Sequence, residues 1–332
     1  LEGYKMYVMT GREGSSICRD NVFDKKIYTR RVLDMHQKLR LAAALNMMKN
    51  DFDIYHFCFA PEKFSSACIK NIMPLRRSRL IVQSIPYIPD RALNDPKDII
   101  FGDHITVFSK MTKNILRLAG FKNVDLVYPV VDFSLYKPQD KKDESIAILY
   151  AGYLPNSKVL NDMYTIIESV LSRVKNAKFL LAVRTKNMKE ALMKRMMLNR
   201  IKDKFMGRAC FITSSYDMTD AIRGCDVLIY PFLSGFERKI DIPFVIAEAM
   251  ACAKPVLVSD IEPLNEPFIG RGGKLTRARR AEDFAQEVIS LCSDKNTLSQ
   301  AGSANMQAAL EMFDYSKNLN IIKTIYEKCD NG

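Results

Sequence analysis

The chain has 332 residues, 48% of them apolar, and its 50 Lys and Arg against 38 Asp and Glu give a formal charge of +12. That is long and apolar enough for two domains with cores of their own, which excludes a disordered or fibrous protein. The longest apolar runs are strand-length, well short of the roughly 20 residues a bilayer-spanning helix needs. Eight cysteines without a Cys-x-x-Cys read as reduced core thiols. Three histidines, His36, His56 and His104, leave a zinc site short of ligands, so metal-hydrolase and Cys/His-protease chemistry is disfavoured. Most of the positive excess falls before residue 139, which suits an anionic membrane surface, nucleic acid or a phosphorylated substrate. The chain opens on Leu1 with no signal pattern behind it, as if some N-terminal sequence were missing or replaced.

Short apolar runs alternate with longer periodic segments, the pattern of a parallel sheet flanked by helices. Strands are predicted at Met6–Met9, Asp53–Phe59, Leu80–Gln83, His104–Phe108 and Asp125–Val127. Helices are predicted at Tyr28–Lys49, Glu62–Ile72 and Lys110–Ala119. Pro129, Pro138 and the charged stretch Gln139–Glu144 then interrupt the pattern, as a linker would. It restarts with strands at Ile146–Tyr150, Lys178–Val183, Ala209–Thr213, Val227–Pro231 and Pro255–Val258. Helices are predicted at Asn161–Val174, Met188–Lys204, Met218–Arg223, Phe244–Ala251 and over 281–293, 294–312 and 314–328. The expected architecture is two Rossmann-like α/β domains facing across a cleft, the first one shortened. Residues 1–140 form the acceptor side, 141–312 the donor side, and 313–332 a last helix packing back towards the first domain. Ligands of such sheets bind beyond the carboxyl ends of the strands, in the loops after Tyr150, Val183, Thr213 and Pro231.

The most specific stretch is Glu248-Ala-Met-Ala-Cys-Ala-Lys-Pro-Val-Leu-Val-Ser-Asp260, a helix bearing a carboxylate, a tight turn and a buried strand. In family order around it stand Val127-Tyr-Pro-Val-Val-Asp-Phe133 with Lys137-Pro138, Tyr150-Ala-Gly-Tyr-Leu-Pro-Asn-Ser-Lys158, Asp226-Val-Leu-Ile-Tyr-Pro231 and Phe313-Asp-Tyr-Ser with Ile325-Tyr326. On these motifs the chain resembles the retaining glycosyltransferases of family 4 (group 1), of the GT-B fold. The resemblance implies transfer of a sugar from a UDP- or GDP-linked donor to a hydroxyl acceptor, lipid-linked or glycan, with retention and without a metal or other cofactor. It also implies a cytoplasmic protein, peripheral on a membrane. Lys158 would neutralise the diphosphate and Glu248 accept hydrogen bonds from the ribose hydroxyls. Gly152, Tyr153, Arg184, Arg238 and Lys239 complete the expected donor site.

The sequence departs from the family pattern in several places. The first signature glutamate, eight positions before Glu248, falls on Ile240, with Asp241 next to it as the candidate substitute carboxylate. Tyr153 stands where an arginine usually follows the glycine, and Arg238 and Lys239 are the candidate replacements for that charge. Ala253 replaces a glycine before Lys254-Pro255. The N-terminal half matches less: Phe52-Asp-Ile-Tyr-His-Phe57 and Asp103-His-Ile-Thr-Val-Phe-Ser109 resemble family segments, but no histidine stands in Ser84-Ile-Pro-Tyr-Ile-Pro89. His56 and Tyr87 are the acceptor-side candidates, although a histidine in an apolar strand is more often a packed group. Arg76, Arg77 and Arg79 beside Leu75 and Leu80, and the basic segment Arg30–Arg40, suit an anionic membrane interface. Met188–Phe205 reads instead as a core-packing helix with a solvated face. The alternative function is a catalytically silent GT-B relative acting as a binding or scaffold subunit. Nucleic-acid binding lacks any reader motif.

Overall fold

The computed structural model describes residues 6–10, 22–26, 43, 45–47, 52–58, 60–72, 80–139, 144–185, 187–202, 204–205, 207–212, 217–233, 240–271 and 274–328. The chain divides into two compact units, one of Leu1–Val107, Thr112–Val127 and Leu319–Gly332, the other of Phe108–Met111 and Tyr128–Asn318. The expected helix 28–49 lies almost wholly outside the described residues, as do Arg76, Arg77 and Arg79.

In the first unit, β1 (Met6–Thr10) and β2 (Val22–Lys26) pair in parallel with one another. Then follow β3 (Ile54–Cys58), α1 (Lys63–Ile72), β4 (Leu80–Ile85), β5 (His104–Val107), α2 (Lys110–Leu118) and β6 (Val124–Leu126). Strands β3 to β6 form one parallel sheet in sequential order. Its β4 and β5 are buried along nearly their whole length, as strands covered on both faces must be, and they read as near-continuous apolar runs for that reason.

The second unit runs β7 (Ile146–Gly152), α3 (Ser157–Arg173), β8 (Ala177–Val183), α4 (Met188–Lys202), β9 (Ala209–Phe211), α5 (Met218–Gly224) and β10 (Val227–Tyr230). It continues through α6 (Phe244–Ala251), β11 (Val256–Ser259), β12 (Lys274–Thr276), α7 (Ala281–Cys292), α8 (Lys295–Met312) and α9 (Tyr315–Glu327), whose residues from Leu319 on belong to the first unit. All six strands are parallel, in the order β12-β11-β10-β7-β8-β9. The order therefore reverses between β7 and β10, the point at which doubly wound sheets bind ligands.

Side chains alternate across this sheet as the period of two requires. Ile148 and Tyr150 of β7 join Phe179, Leu181 and Ile229 under α3, α4 and α7. Leu149, between them, joins Leu228, Val256 and Val258 under α5, α6 and α8. Helices thus cover both faces of the sheet. The parallel α/β reading of the sequence is borne out, and β12, a three-residue strand in a basic segment, is an addition to it.

Candidate functional site

The carboxyl ends of β7 and β8 are locked side by side: Gly152 pairs with Val183, and the Arg184 amide donates to the Gly152 carbonyl at 2.9 Å. Gly152 lies directly over the fully buried ring of Tyr150, whose hydroxyl donates to the Tyr153 carbonyl at 2.9 Å. A Cβ at position 152 would stand 2.6 Å from that hydroxyl and 2.8 Å from Cζ, so only glycine lets the loop fold this closely onto the strand. The loop ends where the Asn156 side chain accepts from the Val159 amide and starts α3. Lys158 is thereby carried on the first turn of that helix, half exposed, with Nζ 3.0 Å from Asp162 one turn on. The first helical turn presents amides that lack partners within the helix, the usual attraction for an anion.

On the opposite face of the sheet, α6 carries Glu248 two-thirds of the way along its length, with Ile246, Ala247, Ala249 and Met250 buried around it. Burial pushes the Glu248 carboxyl above its ordinary value, against the hydrogen bond from Tyr136 and the charge of Arg184, which both favour the ionised form. Tyr136 is itself raised to about 12 by burial and by the charge of Glu248, and it is also hydrogen-bonded to Thr219. The turn that aims Tyr136 is fixed by Asp132, whose carboxylate accepts from the Ser134 amide at 2.9 Å and whose carbonyl accepts from the Tyr136 amide at 2.8 Å. Glu248, Arg184, Gly152 and Tyr136 thus share one electrostatic neighbourhood at the carboxyl edge of the sheet.

Asp241 stands elsewhere. It is 1% exposed, and Ser109 Oγ donates to its Oδ2 at 2.5 Å. Near it, Glu266 accepts from the Lys110 amide at 2.8 Å and from the Tyr128 hydroxyl, and burial raises its carboxyl, with Asp241 adding to the rise. The carboxylate expected to stand in for the missing glutamate is therefore turned inward, while Ile240 remains partly exposed. Arg238 and Lys239 lie outside the described residues.

His56, an acceptor-side candidate, lies within a network of hydroxyls. It sits mid-strand, with Nδ1 2.6 Å from the Tyr326 hydroxyl and Nε2 2.6 Å from Ser84 Oγ, which is in turn 2.6 Å from Thr106 Oγ1. Both ring nitrogens are hydrogen-bonded, and burial lowers the imidazole to about 4, which makes it a neutral link in a hydroxyl chain near neutral pH. Tyr87, on the loop after β4, is partly exposed. Among the described residues no three His, Cys, Asp or Glu side chains converge as a metal site would require.

Tyr136 is the site residue that sequence reasoning passed over. It lies in the stretch read only as a linker, and a tyrosine between a turn and Lys137-Pro138 carries no signal of its own.

The switch-point sheet with these loops coincides with a family model, Glycosyl transferases group 1, which matches residues 145–294. These residues are similar to the group 1 glycosyl transferases. No curated protein is similar to the chain in sequence at a significant level. Among solved structures, the Anabaena protein HepE in complex with UDP and glucose is similar at a TM-score of 0.73 and 15% identity, over 97% of this chain and 99% of that one. Sucrose-phosphate synthase from Thermosynechococcus elongatus is similar at 0.76 and 14% identity, over 98% and 89%. A glycosyltransferase from Rickettsia africae is similar at 0.69 and 14% identity, over 93% and 85%. At these identities the likeness is one of fold, the GT-B glycosyltransferase fold. No helix among the described residues is long and apolar enough to cross a membrane.

Proposed function

We propose that the protein is a retaining glycosyltransferase whose group 1 domain binds a UDP- or GDP-linked sugar and transfers the sugar to a hydroxyl acceptor, lipid-linked or glycan, without a metal. The observation that carries this reading is the neighbourhood of Glu248 and Arg184 at the strand-order reversal, a carboxylate and a cation at the edge where β7 and β10 separate. Glu248 accepts hydrogen bonds from the two ribose hydroxyls. Lys158, Arg184 and the first turn of α3 stabilise the diphosphate as it leaves. In the transfer, the bond from the anomeric carbon to the phosphate oxygen breaks and one to the acceptor oxygen forms on the same face. The acceptor proton passes to the departing phosphate oxygen, so no protein nucleophile is required. The complexes of HepE with UDP and with UDP-glucose support a uridine donor.

A second reading, a catalytically silent binding subunit, draws on Ile240 at the signature position and on Asp241 beside it, which is buried and bonded to Ser109. One experiment separates the two. Calorimetric titration with UDP, GDP and their sugar conjugates, followed by turnover with the donor that binds, should give binding lost in Lys158→Ala and Glu248→Ala together with hydrolysis or transfer of the sugar. Binding without turnover favours the silent subunit. Absence of binding, or full activity in both variants, overturns the site.

A further inference from the structure

Helix α4 buries Met193, Met197 and Ile201 against its own sheet, one stripe at helical spacing. That stripe suffices to seat the helix, yet a second apolar set points the other way. Met188 is 86% exposed, Leu192 54%, Leu198 44% and Met196 37%. The sequence reading of a core-packing helix with an ordinary solvated face therefore holds for one side only.

The charges around this outer set are of one sign. Lys189, Arg195 and Lys202 are exposed, with no ion pair engaging them among the described residues, while the only acidic residue of the helix, Glu190, is buried and bonded to Asn187. Two further cations brace the helix instead. Lys194 lies 5.2 Å over the Phe211 ring, and Arg200 stacks on Tyr164 and donates to Asn161 at 2.6 Å. The outer face thus combines the apolar side chains of methionine and leucine with basic ones and, among the described residues of the helix, exposes no acid.

We propose that the outer face of α4 docks on an anionic lipid surface, Met188 and Leu192 entering the interface while Lys189, Arg195 and Lys202 meet the headgroups. Charge complementarity selects this occupant. A second copy meeting the same face across a two-fold axis would set basic helix against basic helix, which like-charge repulsion opposes. The mixed face gives shallow, reversible, salt-sensitive attachment, not insertion. Because α4 follows the loop of Arg184, its Met188 end lies near the sheet edge that bears the proposed donor loops, yet the attachment uses none of their residues and stands independently of the donor reading.

The test is co-sedimentation of the full chain with vesicles of mixed phosphatidylcholine and phosphatidylglycerol against vesicles of phosphatidylcholine alone. Binding to the mixed vesicles only, lost as salt rises, is expected. Lys189→Glu with Arg195→Glu should weaken it at least about tenfold. Met188→Ser with Leu192→Ser should weaken it while leaving the salt dependence in place, with melting curves of all variants unchanged. Equal binding to neutral vesicles, no binding to anionic ones, or binding that both double variants keep would overturn the proposal. So would a concentration-dependent dimer, or capture of an acidic protein with no lipid binding, abolished by the same substitutions.

Discussion

The phenol of Tyr136 donates to the carboxylate of Glu248, joining a turn that begins at Asp132 to the helix of the group 1 signature. The bond favours the ionised carboxylate where burial opposes it. Tyr136→Phe should therefore raise the Glu248 carboxyl further and move the acid limb of nucleotide binding to higher pH. Loss of one hydrogen bond to a charged group should weaken binding near neutrality about three- to tenfold. Titrations across pH would check this, and an unchanged profile would remove Tyr136 from the site.

Glu248 also sets function against stability. Its carboxyl is raised by burial, so the folded state holds the proton more readily than the unfolded chain. The ionised group then costs stability at neutral pH, and the cost grows as pH climbs past the ordinary carboxylate value. Glu248→Gln should raise the melting temperature at neutral pH, with the gain vanishing in acid, while nucleotide affinity drops at least about tenfold. Paired melting and binding series would show it.

Ala253 adopts φ +53 just past the end of α6, a left-handed position where glycine is favoured. Ala253→Gly should stabilise the fold by about 1 kcal/mol. The helix facing it has a glycine for a different reason: a Cβ on Gly302 would stand 2.2 Å from the Ala253 carbonyl oxygen. Gly302→Ala should therefore cost about 1–3 kcal/mol or more, because backbone must move. Urea unfolding of the two variants should shift in opposite directions.

His56 gives the first unit a pH response. Its imidazole is lowered from 6.5 to about 4 by burial, so the unfolded chain takes up the proton first. Stability is lost as pH falls from 6.5 towards 4, by up to about 3 kcal/mol. His56→Asn should flatten that limb of the unfolding free energy while lowering its neutral plateau, since Tyr326 and Ser84 lose part of their pairing. An unaltered slope would assign the acid response to carboxylates alone.

The second unit was legible because its strands are buried on both faces and its helices keep one apolar stripe, so hydrophobic period alone located most of them. Predicted Phe244–Ala251 coincides with α6. The first turn of α3 was missed, since Ser157 and Lys158 are polar and only the Asn156 cap marks the start. Glu248 could be read from its motif, but its partner Tyr136 comes from a turn whose direction depends on Asp132. Asp241 looked available because sequence shows a residue's identity and not the side to which its backbone turns it. Nothing in the sequence of Met188–Phe205 separates the exposed Leu192 and Met196 from the buried Met193 and Met197, because all four are apolar.

The hydroxyl chain through His56 has a consequence for the order in which the protein is made. Its first link, Tyr326, stands 270 positions after the histidine, and Ile325 and Tyr326 cover Val82 and the edge formed by Ile54 and Leu80. During synthesis β3 and β4 must wait for Ile325 and Tyr326 before that face is closed, whereas the six-stranded sheet has its last strand by Thr276. The six-stranded sheet can therefore be completed before the face of the first unit that Tyr326 closes.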